Sequence, residues 1–488
     1  MANFTDSLAT VLADEFGIVE SKIVDFVKLS FFKNRKHKYY KGYQSYHYKE
    51  LSKYFGRSNF ELINDSTGLF DALPYNYGEQ YTRGLKPSTK LIECFNKTID
   101  QWLPEVEEAE HESFSKSGGI ASRGVTGNKS KFKSNILQAV QVDVKALANL
   151  VKITPTNEKE MRIKAQAAVM LDLALDKTHL PKKWISQRYT EHKTGRLYSD
   201  GVSLQNCCKE VRYSALNGLY SFDIDNCHYS ILAQLTKTPT PTVDHYISNK
   251  KAARTALSCE LNLPVDKVKQ ILISLIFGAS LSEFKKGNAI ADICETEERY
   301  SQVLSNEFIR SLYNEVSKAG SELIKANTLK TGRHSHKVKN IMGLICDERV
   351  SSKKLSHLLQ GYEVKALEVV TSITQTDTAA LLHDGWVTYS NHDKGVFEKA
   401  IFEQTGLHLS VEFEIVKPTI EQPFNSAADL ASNDVQEIEE LISCKLIDRV
   451  ELPCVYSLEL ITPLVDPLLI KHQLTFIMDR RLRKNDRN

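Results

Sequence analysis

The segment from Thr194 to Ala233 constrains this chain more than any other. It reads TGRLYSDGVSLQN, then a basic run ending in Arg212, then SFDIDNCHYSILA. The apolar run GLYSF ends on Asp223 and is followed at once by a helix-like stretch. An acid closing an apolar strand stands on a rigid support, which is what a metal-held carboxylate needs. A second acid has the same setting. In AALLHDGWVTY, the triplet His383-Asp384-Gly385 interrupts two β-like runs, as a tight hairpin would, and places Asp384 at its tip. An aspartate in a turn is usually a turn former, so the weight lies in finding both acids with two further elements in one order.

The first of these further elements is DKVKQILISLIFGAS, residues 266–280. Asp266 is a first-turn acid or N-cap, and Lys269, Ile273 and Phe277 share a broad face of the following helix. The second is LLQGYEVKALEVV, residues 358–370, a helix carrying Gln360.

These four elements, in this order, resemble family A nucleic-acid polymerases of the bacterial DNA polymerase I type. Locally the Lys269 helix is also similar to that of single-subunit phage and mitochondrial RNA polymerases. The resemblance covers roughly residues 184–400. It implies an α+β right-hand fold of palm, fingers and thumb, and a nucleotidyltransferase using two Mg2+ ions, with Mn2+ able to replace them. Asp223, Asp384 and the backbone of Ile224 would hold the metals, and Lys269 would neutralise charge on the leaving pyrophosphate. Phe277, Gly278, Arg212, Arg254 and Lys267 would line the nucleotide. The last two are candidates to replace an arginine that the family has where this chain has Val265. Arg196, Gln205, Asn206, Gln360 and His383 would contact primer and template, reading minor-groove acceptors common to all correct pairs. His228 stands where a sugar-gate residue is expected, and its bulk together with Phe277 favours deoxynucleotides. Gly385 departs from the Glu or Ser usual after the hairpin aspartate.

Outside these motifs, residues 1–112 are expected to form a winged-helix-like nucleic-acid-binding module. Lys28 to Lys49 holds seven basic and seven aromatic residues and no acid, and Arg83 and Lys86 mark a short hairpin. Residues 113–135, rich in Ser, Gly and Lys, read as a linker. Residues 136–183 read as paired thumb-like helices, 184–424 as the palm with a fingers insertion at about 240–340, and 425–488 as an extension ending in a basic cluster.

A formal net charge of +2 excludes a global polyanion-attracting field, so a nucleic-acid surface has to be local. Nine cysteines without CxxC spacing read as free thiols of a reducing compartment, and no apolar run suggests a membrane span. The expectation is a monomeric, cytoplasmic phage or plasmid polymerase acting on primer, template and nucleoside triphosphates, with replication proteins of the same element as partners. No Asp-x-Glu triplet of a proofreading exonuclease precedes the palm. Two alternatives stay open: an RNA polymerase or primase, and a DNA-binding replication initiator with a degenerate palm.

Overall fold

The computed structural model describes residues 3–33, 42–56, 59–74, 82–102, 136–176, 183–199, 201–285, 288–329 and 336–419. The chain divides into two units, 1–420 and 421–488. The second lies outside the described residues, as do the expected linker 113–135, the middle of the basic-aromatic run at 34–41, and the hairpin tip at 75–81. The first unit is α+β, with small antiparallel sheets among many helices.

At the N-terminus, helices Phe4–Phe16 and Ser21–Ser30 lead into strand Gln44–His47. Helices Tyr48–Phe55 and Asn59–Thr67 follow, then strands Phe70–Ala72 and Thr82–Pro87. The last strand sits between the other two in a three-stranded sheet. Helix, helix and hairpin therefore occur as the sequence pattern predicts. The hairpin's basic residues are engaged, however: Arg83 Nη1 lies 2.8 Å from Glu61 Oε1, and Lys86 Nζ 2.5 Å from Glu158 Oε1.

Residues 1–102 do not own a separate core. Phe4, Phe26, Phe95 and Trp102 share one cluster with Leu147, Met170, Ile185 and Leu219. At its centre runs the helix Glu158–Leu175. Asn157 caps it by accepting from the Glu160 amide, while Glu160 accepts from the Thr156 amide. Its residues from Ile163 to Asp172 are all buried, Gln166 and Lys164 included. A helix buried all round is an interior element. The pair expected as thumb-like helices, Val144–Val151 and Glu158–Leu175, packs in this cluster, and of AQAAVMLDLAL only Leu173 and Leu175 are not buried.

A second cluster joins Tyr189 and Leu197 to apolar residues drawn from Phe222 to Val411. Between the two lies a four-stranded antiparallel sheet, ordered Thr378–Leu381, Gly385–Thr388, Tyr220–Ile224, Val411–Ile415. Strand residues alternate between faces. Thus Ala380, Val387 and Tyr389 join the first cluster, while Leu381, Trp386 and Phe222 join the second. Helices Cys227–Leu235, Val265–Ile276 and Ser351–Thr374 pack on this sheet's second-cluster side or beside it. Among the described residues no helix is long and apolar enough to cross a membrane, and seven cysteines are free thiols.

Candidate active site

The two aspartates meet at one end of the four-stranded sheet. Phe222 and Ile224 are buried on either side of Asp223 in the sequence, and Phe222 stacks on Trp386 with centroids 5.6 Å apart. Asp223 pairs in register with Gly385 on one side and Glu412 on the other. Asp384 closes the hairpin, and its carbonyl accepts from the Ile224 amide at 3.0 Å. Gly385 is where it is for a steric reason. A Cβ there would lie 2.7 Å from the Phe222 carbonyl oxygen and 2.9 Å from Asp223 Oδ1. The Asp223 carboxylate fills the space a side chain at 385 would need.

Crowding makes both acids reluctant to ionise. Asp223 keeps an exposed edge, yet the surrounding walls strip enough water to raise its pKa, and the charges of Asp384 and Glu412 raise it further. Lys250 and Lys269 offset part of this. Asp384, half-buried, is raised by burial and then by Glu363. Two hard carboxylates at one strand end, each destabilised as an anion, fit a divalent cation such as Mg2+. The donor set suits that ion, with Ile224 ending the strand between them.

Several charged neighbours carried no sequence signal of their own. Lys250 Nζ bridges Asp225 Oδ1 and Glu412 Oε1, the latter at 2.8 Å. Glu363, fully buried on helix Ser351–Thr374, accepts from both Nε (2.6 Å) and Nη2 of Arg196. His228 Nε2 lies 2.8 Å from Glu363 Oε2, off the line of a good hydrogen bond. Burial opposes a charge on Glu363, but His228 and Arg196 outweigh it and hold the carboxyl at about 2. Cys227, His228 and Glu363 place ligand atoms within 4.8 Å of one another. Arg196 already occupies that carboxylate, which makes the group an ion-pair network. A glutamate among Gly361, Val364 and Leu367 on a helix's apolar side was the available clue.

The remaining candidates divide by what their side chains already hold. Lys269 is exposed on helix Val265–Ile276 with no ion pair among the described residues. Phe277 caps that helix, its ring 4.9 Å from the His228 ring. Gly278 turns the chain at φ +79, pressed against Ser352. The His383 ring lies tilted at 57° to that of Tyr198, centroids 5.0 Å apart, and its buried Nδ1 has no partner among the described residues. Burial, with the nearby Arg196 and Arg212 charges, pulls its pKa down to about 4, so it is neutral at pH 7. Arg212 reaches the Leu204 carbonyl through Nη1 and leaves its buried Nε unpartnered. Gln360 is half-buried near the helix middle.

Others are engaged in the fold. Gln205 accepts from the Ser199 amide and donates to the Leu197 and Leu381 carbonyls, and Asn206 donates to those of Ser199 and Gly201. With Arg196 clamped by Glu363, these three expected groove readers shape the 196–206 loop from within. Their polar sequence positions could not reveal that backbone groups hold Gln205 and Asn206 while Glu363 holds Arg196. Lys267 is paired to Glu295 at 2.9 Å, and Arg254 donates twice to the Tyr246 hydroxyl. Neither is placed by these contacts at a phosphate.

No family model matches the chain, and neither does any curated protein. Among solved structures it is similar to the POL domain of Pol1 from M. smegmatis in complex with DNA primer-template and dNTP. That likeness has a TM-score of 0.40 and 13% identity, covering 80% of this chain and 81% of that chain. Similarity of this size does not establish a family.

Proposed function

We propose that this chain is a template-directed nucleotidyltransferase extending a primer with deoxynucleotides, and that the Asp223–Asp384 end of the sheet is its catalytic centre. The observation that carries the reading is the pairing of these two acids, 161 positions apart, on adjoining elements, each with a raised pKa and that of Asp223 raised in part by the Asp384 charge. Two Mg2+ ions held there, with the Ile224 carbonyl, would supply activation of the primer 3′-hydroxyl and a grip on the triphosphate.

This chain's own groups do the rest. Lys269, unpaired and close enough to lower the Asp223 pKa, is free to meet charge developing on the leaving phosphates. The His228–Phe277 contact makes a wall where the sugar would sit. Neutral His383, with Nδ1 unpartnered, and Gln360 are left to contact the primer end. The topology of residues 21–87, with strand Thr82–Pro87 central, supports a winged-helix module for the nucleic acid.

Primer extension crossing dNTPs or rNTPs with DNA or RNA templates tests the reading. Mg2+-dependent dNTP incorporation, lost in Asp223→Ala and Asp384→Ala, is expected. Primer-independent product from rNTPs would identify a primase or RNA polymerase. No incorporation in any combination, with template binding intact, would leave a DNA-binding initiator.

A further inference from the structure

The proposed mechanism leaves unexplained why a fully buried glutamate sits under the site. Replacing a buried ion-pair network with apolar residues is often neutral or stabilising, so stability alone is a poor reason to keep one. Its geometry offers another. Arg196 grips Glu363 with two donors, and the turn before it is tied down again by Asn340 Nδ2, which donates to the Thr194 carbonyl at 3.1 Å. Asn340 also reaches the His357 carbonyl of the helix that carries Glu363. Arg196 therefore holds the Glu363 carboxylate, and Asn340 ties the turn before Arg196 to the helix that carries Glu363. Its Oε2 lies 2.8 Å from His228 Nε2, and the His228 ring lies edge-on to Phe277 at 4.9 Å and 64°. Arg196, Glu363, His228 and Phe277 form a single line of contacts from the 194–196 turn to the end of helix Val265–Ile276.

We propose that Glu363 is a positioning residue for sugar selection: braced by Arg196, it holds the His228 ring against Phe277 and so sets the wall that excludes a 2′-hydroxyl. This deepens the polymerase reading and rests on it. Without the Glu363 carboxylate the imidazole can swing from Phe277, opening space for a ribose at little cost to the deoxy substrate.

The test is the ratio of kcat/KM for dNTP to that for rNTP, measured on the full chain for wild type, Glu363→Gln, Glu363→Asp, His228→Ala and the His228→Ala/Glu363→Gln pair. The ratio should fall about 10-fold or more in both Glu363 variants, the size expected when a pocket wall shifts by about a methyl group. The change should lie in a lower KM for rNTP, with kcat for dNTP within about 3-fold of wild type. In the His228→Ala background Glu363→Gln should change the ratio no further. Glu363→Asp keeps the charge and withdraws it by one methylene, so it serves if the Gln variant does not fold. An unchanged ratio in a folded variant, or an effect that persists without His228, overturns the proposal while leaving the polymerase reading intact. A wild type that incorporates neither sugar overturns both.

Discussion

Gly385→Ala isolates the geometry of the proposed centre, because the added methyl has a calculable collision. The new Cβ would lie 2.7 Å from the Phe222 carbonyl oxygen and 2.9 Å from Asp223 Oδ1, both closer than such atoms are normally found. Relief requires a movement on the order of half an ångström, by either the strand or the Asp223 carboxylate. Overpacking of this kind costs roughly 1–3 kcal/mol. A misplacement of about 1 Å at a reacting centre costs on the order of 100-fold in rate, so about 10-fold is expected here. The assay is single-turnover incorporation at saturating dNTP, beside thermal melting. Gly320→Ala is the control. Gly320 lies on helix Glu307–Ala326, which carries none of the site residues, and the three atoms nearest its added Cβ all belong to the Leu355 side chain, starting with Cδ2 at 2.8 Å, which can rotate away. It should alter melting without altering rate. A Gly385→Ala protein within about 2-fold of wild-type rate and with unchanged melting would refute the placement of Asp223 against this hairpin.

Other expectations follow from charge and packing. Asp223 and Asp384 have folded pKa values above their ordinary ones, so their contribution to stability is full below about pH 4 and is lost as pH rises through the raised values. The metal-free protein should gain melting temperature from this pair on going from about pH 8 to about pH 5.5. Asp223→Asn should shrink that gain, and Mg2+ should flatten it. Glu363, held at about 2, has the opposite sign and loses its contribution only as pH falls toward that value, outside this window. Lys269→Ala should lower kcat by about 10²–10³. Its melting should move little, because the side chain is exposed and unpaired. Deleting residues 1–102 should give insoluble protein by sedimentation assay, because Phe4, Phe95 and Trp102 cover the shared core; a soluble, active remainder would contradict this.

The carboxylate end of the site was legible because its signals are local: an apolar strand stopping on Asp223, a His-Asp-Gly break between two β runs, and an amphipathic helix from Asp266. Each is written in consecutive residues, and the structure adds only that the first two adjoin. Glu363 was not legible, because its meaning depends on Arg196 and His228, both distant in the chain. The backbone bonds of Gln205 and Asn206 were hidden for the same reason, since a polar loop residue looks identical whether it faces a ligand or its own backbone. The helices expected as thumb-like are a different case. Helical periodicity gives the element, but only the unbroken burial from Ile163 to Asp172 shows the middle of Glu158–Leu175 to be interior.

The hairpin bearing Asp384 has a wider consequence. Neighbouring residues along it are claimed by different hydrophobic masses, Val387 and Tyr389 by one and Leu381 and Trp386 by the other. Tyr389 is further pinned where its hydroxyl accepts from the Gln141 amide at 3.1 Å. The hairpin is thus a rivet through two plates: neither half can slip without dragging a carboxylate out of register with its mate. Sequence drift in the N-terminal half, far from any reacting atom, would therefore surface first as slower chemistry and only later as unfolding.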